Sequence, residues 1–154
     1  MPKQSLILSP FTLDFYDSVL SLWRACGGIG LSDADTRENI SLFLGRNPAM
    51  SHMALDGQKV VGAVLAGHDG RRGYLHHLAV HPDYRHRGVG RLLLDKAIES
   101  LRTQGINKCH GFVFQNNQTG MDFWKAVGWN VRHDIKLISR DISKHKHFCH
   151  DKVE

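Results

Sequence analysis

The sequence predicts a mixed α/β domain in which a mostly antiparallel sheet carries helices on both faces. Three observations lead there. Two Asp-Gly pairs, Asp56-Gly57 and Asp69-Gly70, separate runs of strand-forming residues, and such pairs tolerate the positive φ of tight hairpins, so three strands form an antiparallel meander. At Gly88 the apolar period changes from strand-like to helical. Strand and helix patterns then alternate again, which places helices on either side of one sheet.

Taken in order, residues 5–9 read as a short strand. Over residues 12–25, Leu13, Tyr16, Val19, Leu20 and Trp23 fall at helical spacings behind Thr12, an N-cap residue type. The Cys26-Gly27-Gly28-Ile29-Gly30 break ends that helix, and the acids of Asp33-Ala34-Asp35-Thr36-Arg37-Glu38 suit the positive end of a second one. Gly45 and Pro48 stop it. The meander strands are expected at 51–55, 59–68 and 74–80. From Gly88 to Gly105, Leu93, Leu94, Ala97, Ile98 and Leu101 make an apolar stripe opposite Asp95, Lys96, Glu99 and Arg102. A strand at 108–114, a helix at 119–127 and strands around Val131 and at 135–139 complete the pattern. One domain is expected over residues 1–140, with a polar tail at 141–154.

Composition narrows the function. A chain of 154 residues that is 42% hydrophobic and 23% charged builds one folded core. Its best apolar run, 60–67, is far short of the roughly 20 residues a membrane helix needs, and residues 1–10 lack the parts of a signal peptide. Three scattered cysteines, Cys26, Cys109 and Cys149, form no C-x-x-C pair. The expectation is a cytoplasmic protein with no membrane partner. His145, His147, Cys149 and His150 lie in the polar tail and lack the spacing of a metal site, so no metal is expected. The formal charge is +5, and residues 71–91 hold five arginines against Asp83 alone. Charge crowded near one loop and a helix start suits a small polyanion better than a nucleic acid.

That loop carries the strongest motif. Leu78-Ala79-Val80 leads through His81-Pro82-Asp83-Tyr84 into Arg85-His86-Arg87-Gly88-Val89-Gly90-Arg91 and the amphipathic helix. Amides at a helix start converge on one point, and glycines let an anion approach the backbone. A Walker A loop would need Lys-[Ser/Thr] where Arg91-Leu92 stands, and a dinucleotide fingerprint would need a third glycine where Leu93 stands.

Arg85-x-x-Gly88-x-Gly90 after Leu-Ala-Val resembles the acyl-CoA-binding motif of the GNAT superfamily of N-acetyltransferases. Leu78-Ala79-Val80-x-Pro82 resembles that family's fourth strand and exit turn. Asn117-x-x-Gly120-x-x-x-Trp124-x-x-x-Gly128-Trp129 is similar in spacing to a later family segment, with three substitutions. The element order is also GNAT-like. The resemblance implies acetyl-CoA as cosubstrate, with pantetheine between splayed fourth and fifth strands along Leu78, Ala79 and Val80. It places the diphosphate on amides from Arg85 through His86, Arg87, Gly88, Val89 and Gly90 to Arg91, with the arginines adding charge. A main-chain N–H of Leu78 or Ala79 would meet the developing oxyanion.

Strand alternation sets Tyr74 and His76 on one face and Leu75 and His77 on the other, and makes His76 the candidate base if its face is the acceptor side. Packing within the sheet is the alternative role. Many relatives have Tyr where Trp124 stands, and an indole cannot give up a proton. Either the thiolate leaves with hydrogen-bond help alone, or a hydroxyl such as Tyr74 or Tyr84 reaches it. Asn117 either contacts pantetheine or caps the next helix. Gly27-Gly28-x-Gly30 is either a plain link or a lid on the acceptor pocket. The function implied is transfer of an acetyl group to a small-molecule or peptide amine by direct attack, the alternative being an acyl-CoA sensor without turnover. Dimers are common in the family, so a homodimer stays open.

Overall fold

Eight consecutive buried residues, 60–67, run through the longest strand, the signature of a strand covered on both faces. The computed structural model describes residues 6–143 and sets this strand, β3 (Lys59–His68), in the middle of a five-stranded sheet. The order is β1 (Ile7–Pro10), β2 (His52–Asp56), β3, β4 (Gly73–Val80) and β5 (Cys109–Gly111). β1 to β4 pair antiparallel, and β5 joins β4 in parallel. The expected meander is therefore present, turning at Gly57 with φ +60° and at Gly70 with φ +90°.

Helices cover both faces. On one side α1 (Tyr16–Ala25) and α2 (Arg37–Arg46) bury Tyr16, Val19, Leu22, Trp23 and Ile40 against Met53, Ala63 and Leu65 of the sheet. On the other, the apolar stripe of α3 (Val89–Thr103) buries Val89, Leu93, Leu94, Ala97 and Leu101 against Ala54, Val61, Val64 and Leu75. Each buried leucine stabilises that contact by about 1.5–3 kcal/mol. α4 (Gln118–Ala126) adds Phe123 and Trp124 to the same side.

Several local expectations need correction. Thr12 makes no side-chain cap, and a 3-10 turn at Leu13–Phe15 precedes α1. The second helix starts later than its acids suggest: Asp33–Asp35 is a 3-10 turn capped by Ser32, and Thr36 caps α2 through Asn39 N–H. β5 is three residues long rather than seven. Around Val131 and over 135–139 no strand forms. A strand exists only with a ladder partner, and Ile135, Leu137 and Ile138 are instead exposed, while Arg132 closes locally on Asp134 through two bonds of 2.8 Å. The His145–His150 cluster lies outside the described residues.

Candidate active site

The short β5 opens the sheet. β4 and β5 pair only at Gly73↔Cys109, Tyr74↔His110 and Leu75↔Gly111, so from His76 onward the two strands part and the β5-facing edge of β4 is unpaired. In that stretch β4 also gains a residue against β3. The register steps from Leu65↔His76 to Ala63↔Ala79, which sets His77 and Leu78 against Val64 alone, a β-bulge. His77 takes φ +52°, rare for a residue with a Cβ. Two bonds hold it there. Trp23 Nε1–H donates to the His77 carbonyl at 3.2 Å, and His77 Nε2 meets Asp35 Oδ1 at 2.9 Å.

The bulge overturns the expected alternation. His76 stacks on Phe112 with ring centroids 5.6 Å apart and meets Phe43 of α2 edge-on at 6.1 Å. His77 lies 5.0 Å from the Trp23 ring of α1. Both imidazoles therefore face the α1/α2 side, and of residues 74–77 Leu75 packs into the α3 core. Burial, with His77 as a neighbour, pushes the His76 pKa below its usual value, so its ring is neutral near pH 7 and able to accept a proton.

The anion loop lies at the outgoing end of β4. A 3-10 turn at Pro82–Tyr84 leads to Arg85, then to His86 at φ +62° and Gly88 at φ +79°. Left-handed residues in such a run turn successive amides toward one concavity. The first amide of α3 with a helical acceptor is that of Leu92, bonded to the Gly88 carbonyl at 3.0 Å, so the N–H groups of Val89, Gly90 and Arg91 precede the ladder. A Cβ at Gly88 would meet nothing within 4 Å, whereas one at Gly90 would lie 3.3 Å from the Phe123 ring. Gly88 thus keeps the approach to the amides open, and Gly90 also admits α4. Arg87 stacks over the Tyr84 ring at 5.1 Å, with Lys59 at 5.6 Å. Arg85 Nε–H donates to the Val80 carbonyl at 3.2 Å, where Cys26 Sγ also donates at 3.4 Å.

The basic stretch is less crowded than the sequence suggests. Arg71 and Arg72 sit at the Asp69 turn that precedes β4, roughly 26 Å from Arg85 along an eight-residue strand. Only Arg85, Arg87 and Arg91 remain at the anion loop.

Other candidates sort by geometry. Tyr84 donates to Asp56 on the β2–β3 hairpin, which ties its hydroxyl away from the strand fork. Tyr74 lies in the paired part of β4, stacked 6.4 Å from Phe112. Trp124 packs on Trp129 at 4.5 Å and against the backbone of Gly111. Asn117 caps α4 by accepting from Gly120 N–H at 2.9 Å. A Cβ on Gly28 would stand 2.4 Å from Asn117 Nδ2 and one on Gly30 2.5 Å from Phe114, so the glycine segment after α1 closes against the chain beyond β5. Asp35, which the sequence offered only as a helix-start acid, is 7% exposed, accepts from Ser32 N–H at 3.0 Å, and lies under Tyr16, whose hydroxyl donates to its carbonyl at 2.7 Å. No local signal links it to His77.

A sheet forked after its fourth strand, with bare amides at the exit of that strand, defines an acyltransferase. The chain belongs to the acetyltransferase (GNAT) family, whose model matches residues 16–129. It is 27% identical over 130 residues to an acetyltransferase of Sodalis glossinidius, covering 84% of this chain and 91% of that one. An acetyltransferase of Pectobacterium atrosepticum is 28% identical over 130 residues, with 84% and 92% covered. Among solved structures, an acetyltransferase of Streptococcus agalactiae superposes with a TM-score of 0.72 at 15% identity, covering 92% and 93% of the two chains. The PaiA N-acetyltransferase of Thermoplasma acidophilum in complex with coenzyme A gives 0.71 at 17% identity, with 83% and 91% covered. These likenesses fix the fold.

Proposed function

We propose that this chain moves an acetyl group from acetyl-CoA to a primary amine by direct attack. The observation that carries the reading is the fork, where the β4 edge left by β5 leads to the amides of Val89, Gly90 and Arg91 ahead of the first helical bond. A diphosphate suits that loop, since Gly88 leaves open space above it and His86 is left-handed beside it. The Thermoplasma relative's complex with coenzyme A supports the same assignment. Bound there, acetyl-CoA supplies the thioester carbonyl and a thiolate leaving group.

The chain's own residues do the rest. Arg87 and Arg91 add charge at the loop. Arg85 leaves the Val80 carbonyl, which Cys26 still shares, and swings to the anion, so that Leu78 and Val80 can meet pantetheine as a strand would. The amide of Leu78, in the bulge, donates to the oxygen that gains charge, whereas Ala79 pairs with Ala63 of β3. His76, neutral and facing the acceptor side, takes the proton that nitrogen loses as the C–N bond forms. The thiolate leaves without a general acid, because Trp124 is a packing residue and Tyr84 is tied to Asp56. The acceptor enters from the α1/α2 side, past Phe43 and Phe112.

Calorimetry with CoA and thiol release from acetyl-CoA over a panel of primary amines test the proposal together. Tight binding with amine-dependent thiol release is expected, and His76→Ala should lower kcat by about 100-fold near neutral pH. Tight binding without release on any amine would replace this reading with that of an acyl-CoA sensor.

A further inference from the structure

Beyond His76, the acceptor side holds a second proton-accepting group. Asp35 arrives from the 3-10 turn before α2 and is buried, and its carboxylate takes one bond from Ser32 N–H and one from His77. A carboxylate only accepts, so His77 Nε2 carries the hydrogen, and in the neutral ring Nδ1 keeps a lone pair. Among the described residues Nδ1 has no partner and no partnerless side-chain nitrogen is buried, so Nδ1 opens to solvent. A carboxylate that fixes one imidazole nitrogen while the other faces the reactants is the arrangement of a general base with its orienting group. The bulge makes this possible, because it turns His77 onto the face that His76 occupies.

We propose that the Asp35–His77 pair captures the acceptor in its ammonium form and takes its first proton at His77 Nδ1, with Asp35 as the positioning residue. This rests on the acetyltransferase reading above. Amines reach a protein near neutral pH mostly as ammonium ions, and nitrogen must lose two protons before an amide exists. An N–H bond of the ammonium breaks toward Nδ1, and its electron pair stays on nitrogen. The imidazolium so formed is paired with Asp35. The freed pair makes the C–N bond at the thioester carbon, the C–S bond breaks, sulfur leaves as thiolate, and the second N–H proton goes to His76. The other groups facing this pair are Tyr16 and, around Tyr16, Asp17, Arg24 and Arg37. None of them is a hydrogen-bond partner of the His77 ring.

Two measurements on the full chain test the pair. In histidine-labelled protein, long-range proton–nitrogen spectra should show His77 with hydrogen on Nε2, and Asp35→Asn should disturb that signature. Thiol release is then followed with acetyl-CoA and ethylamine across pH. Asp35→Asn and His77→Asn should each lower kcat/KM by about 100-fold near neutral pH, and the defect should shrink as pH rises toward the amine's own pKa, where water supplies free amine. Asparagine is chosen at position 77 because it tolerates positive φ. Hydrogen on Nδ1, or a defect independent of pH, would overturn the proposal. CoA binding to both variants should stay within about tenfold of the parent, because the Trp23 bond still holds the carbonyl at position 77. Loss of binding or of all turnover in the parent would instead sink the acetyltransferase reading, with the His77 spectrum still deciding the pair.

Discussion

Gly88→Ala separates the anion loop's role in binding from its role in the fold. Gly88 caps α3 at φ +79°, ψ 8°, a conformation that costs an alanine about 1–2 kcal/mol. A Cβ there meets nothing within 4 Å, so backbone strain is the whole folding penalty and the variant should fold. For a domain of this size, a loss of about 1–2 kcal/mol lowers Tm by roughly 2–8 °C. The added methyl group does stand where a diphosphate must approach the amides. Losing one charge-assisted bond costs about 1.5–3 kcal/mol, so the Kd for CoA should rise about 10- to 100-fold. Gly105→Ala is the matched control. It has φ +78° and equally open space, yet lies at the far end of a 15-residue helix, about 22 Å away. Both variants should lose similar Tm by calorimetric scan, and only Gly88→Ala should lose affinity by titration. Equal CoA affinity in the two would show that no anion rests at Gly88.

Stability should also follow pH through two histidines. Burial lowers the pKa of His52 and of His76 below the ordinary value of 6.5, so both favour the neutral ring in the folded state. Their contribution is complete above about pH 6.5 and is lost as pH falls through the folded pKa values, because the unfolded chain binds more protons. Tm should drop as pH falls from about 6.5 to about 5, and less so in His52→Leu; an unchanged drop in that variant would show that His52 contributes nothing to it. Trp124→Phe keeps a ring beside Trp129 while removing the indole N–H. It should cost about 1–3 kcal/mol of stability by urea unfolding and leave kcat within about twofold. A tenfold loss of kcat at saturating substrate would mean that the indole assists thiolate departure.

What the sequence made legible was local. Asp56-Gly57 and Asp69-Gly70 state their hairpins in the residues themselves, and the α3 stripe is a period that needs no partner to be seen. The glycines of the anion loop belong to the same class, since a left-handed Gly88 at a helix start is a property of a few adjacent residues. Strands that depend on a neighbour were less legible. The apolar residues of 135–139 carry strand composition, yet composition supplies no ladder, and β5 offers only a three-residue edge.

The acceptor side was hidden for a sharper reason. Alternation assigns faces correctly only while each residue of one strand opposes one of the next. At His77 and Leu78 two residues oppose Val64, and nothing in His76-His77-Leu78 announces the extra one. What fixes the bulge lies elsewhere in the chain: the Trp23 indole, 54 residues away in sequence, and the Asp35 carboxylate, 42 residues away. A left-handed histidine costs of order 1–3 kcal/mol, comparable to a pair of bonds to its carbonyl and ring at about 1 kcal/mol each or somewhat more. The strained position persists because two helical segments grip it. The same grip brings both imidazoles onto one face beside the opening fork, so the departure from strand periodicity and the gathering of proton acceptors are one structural event.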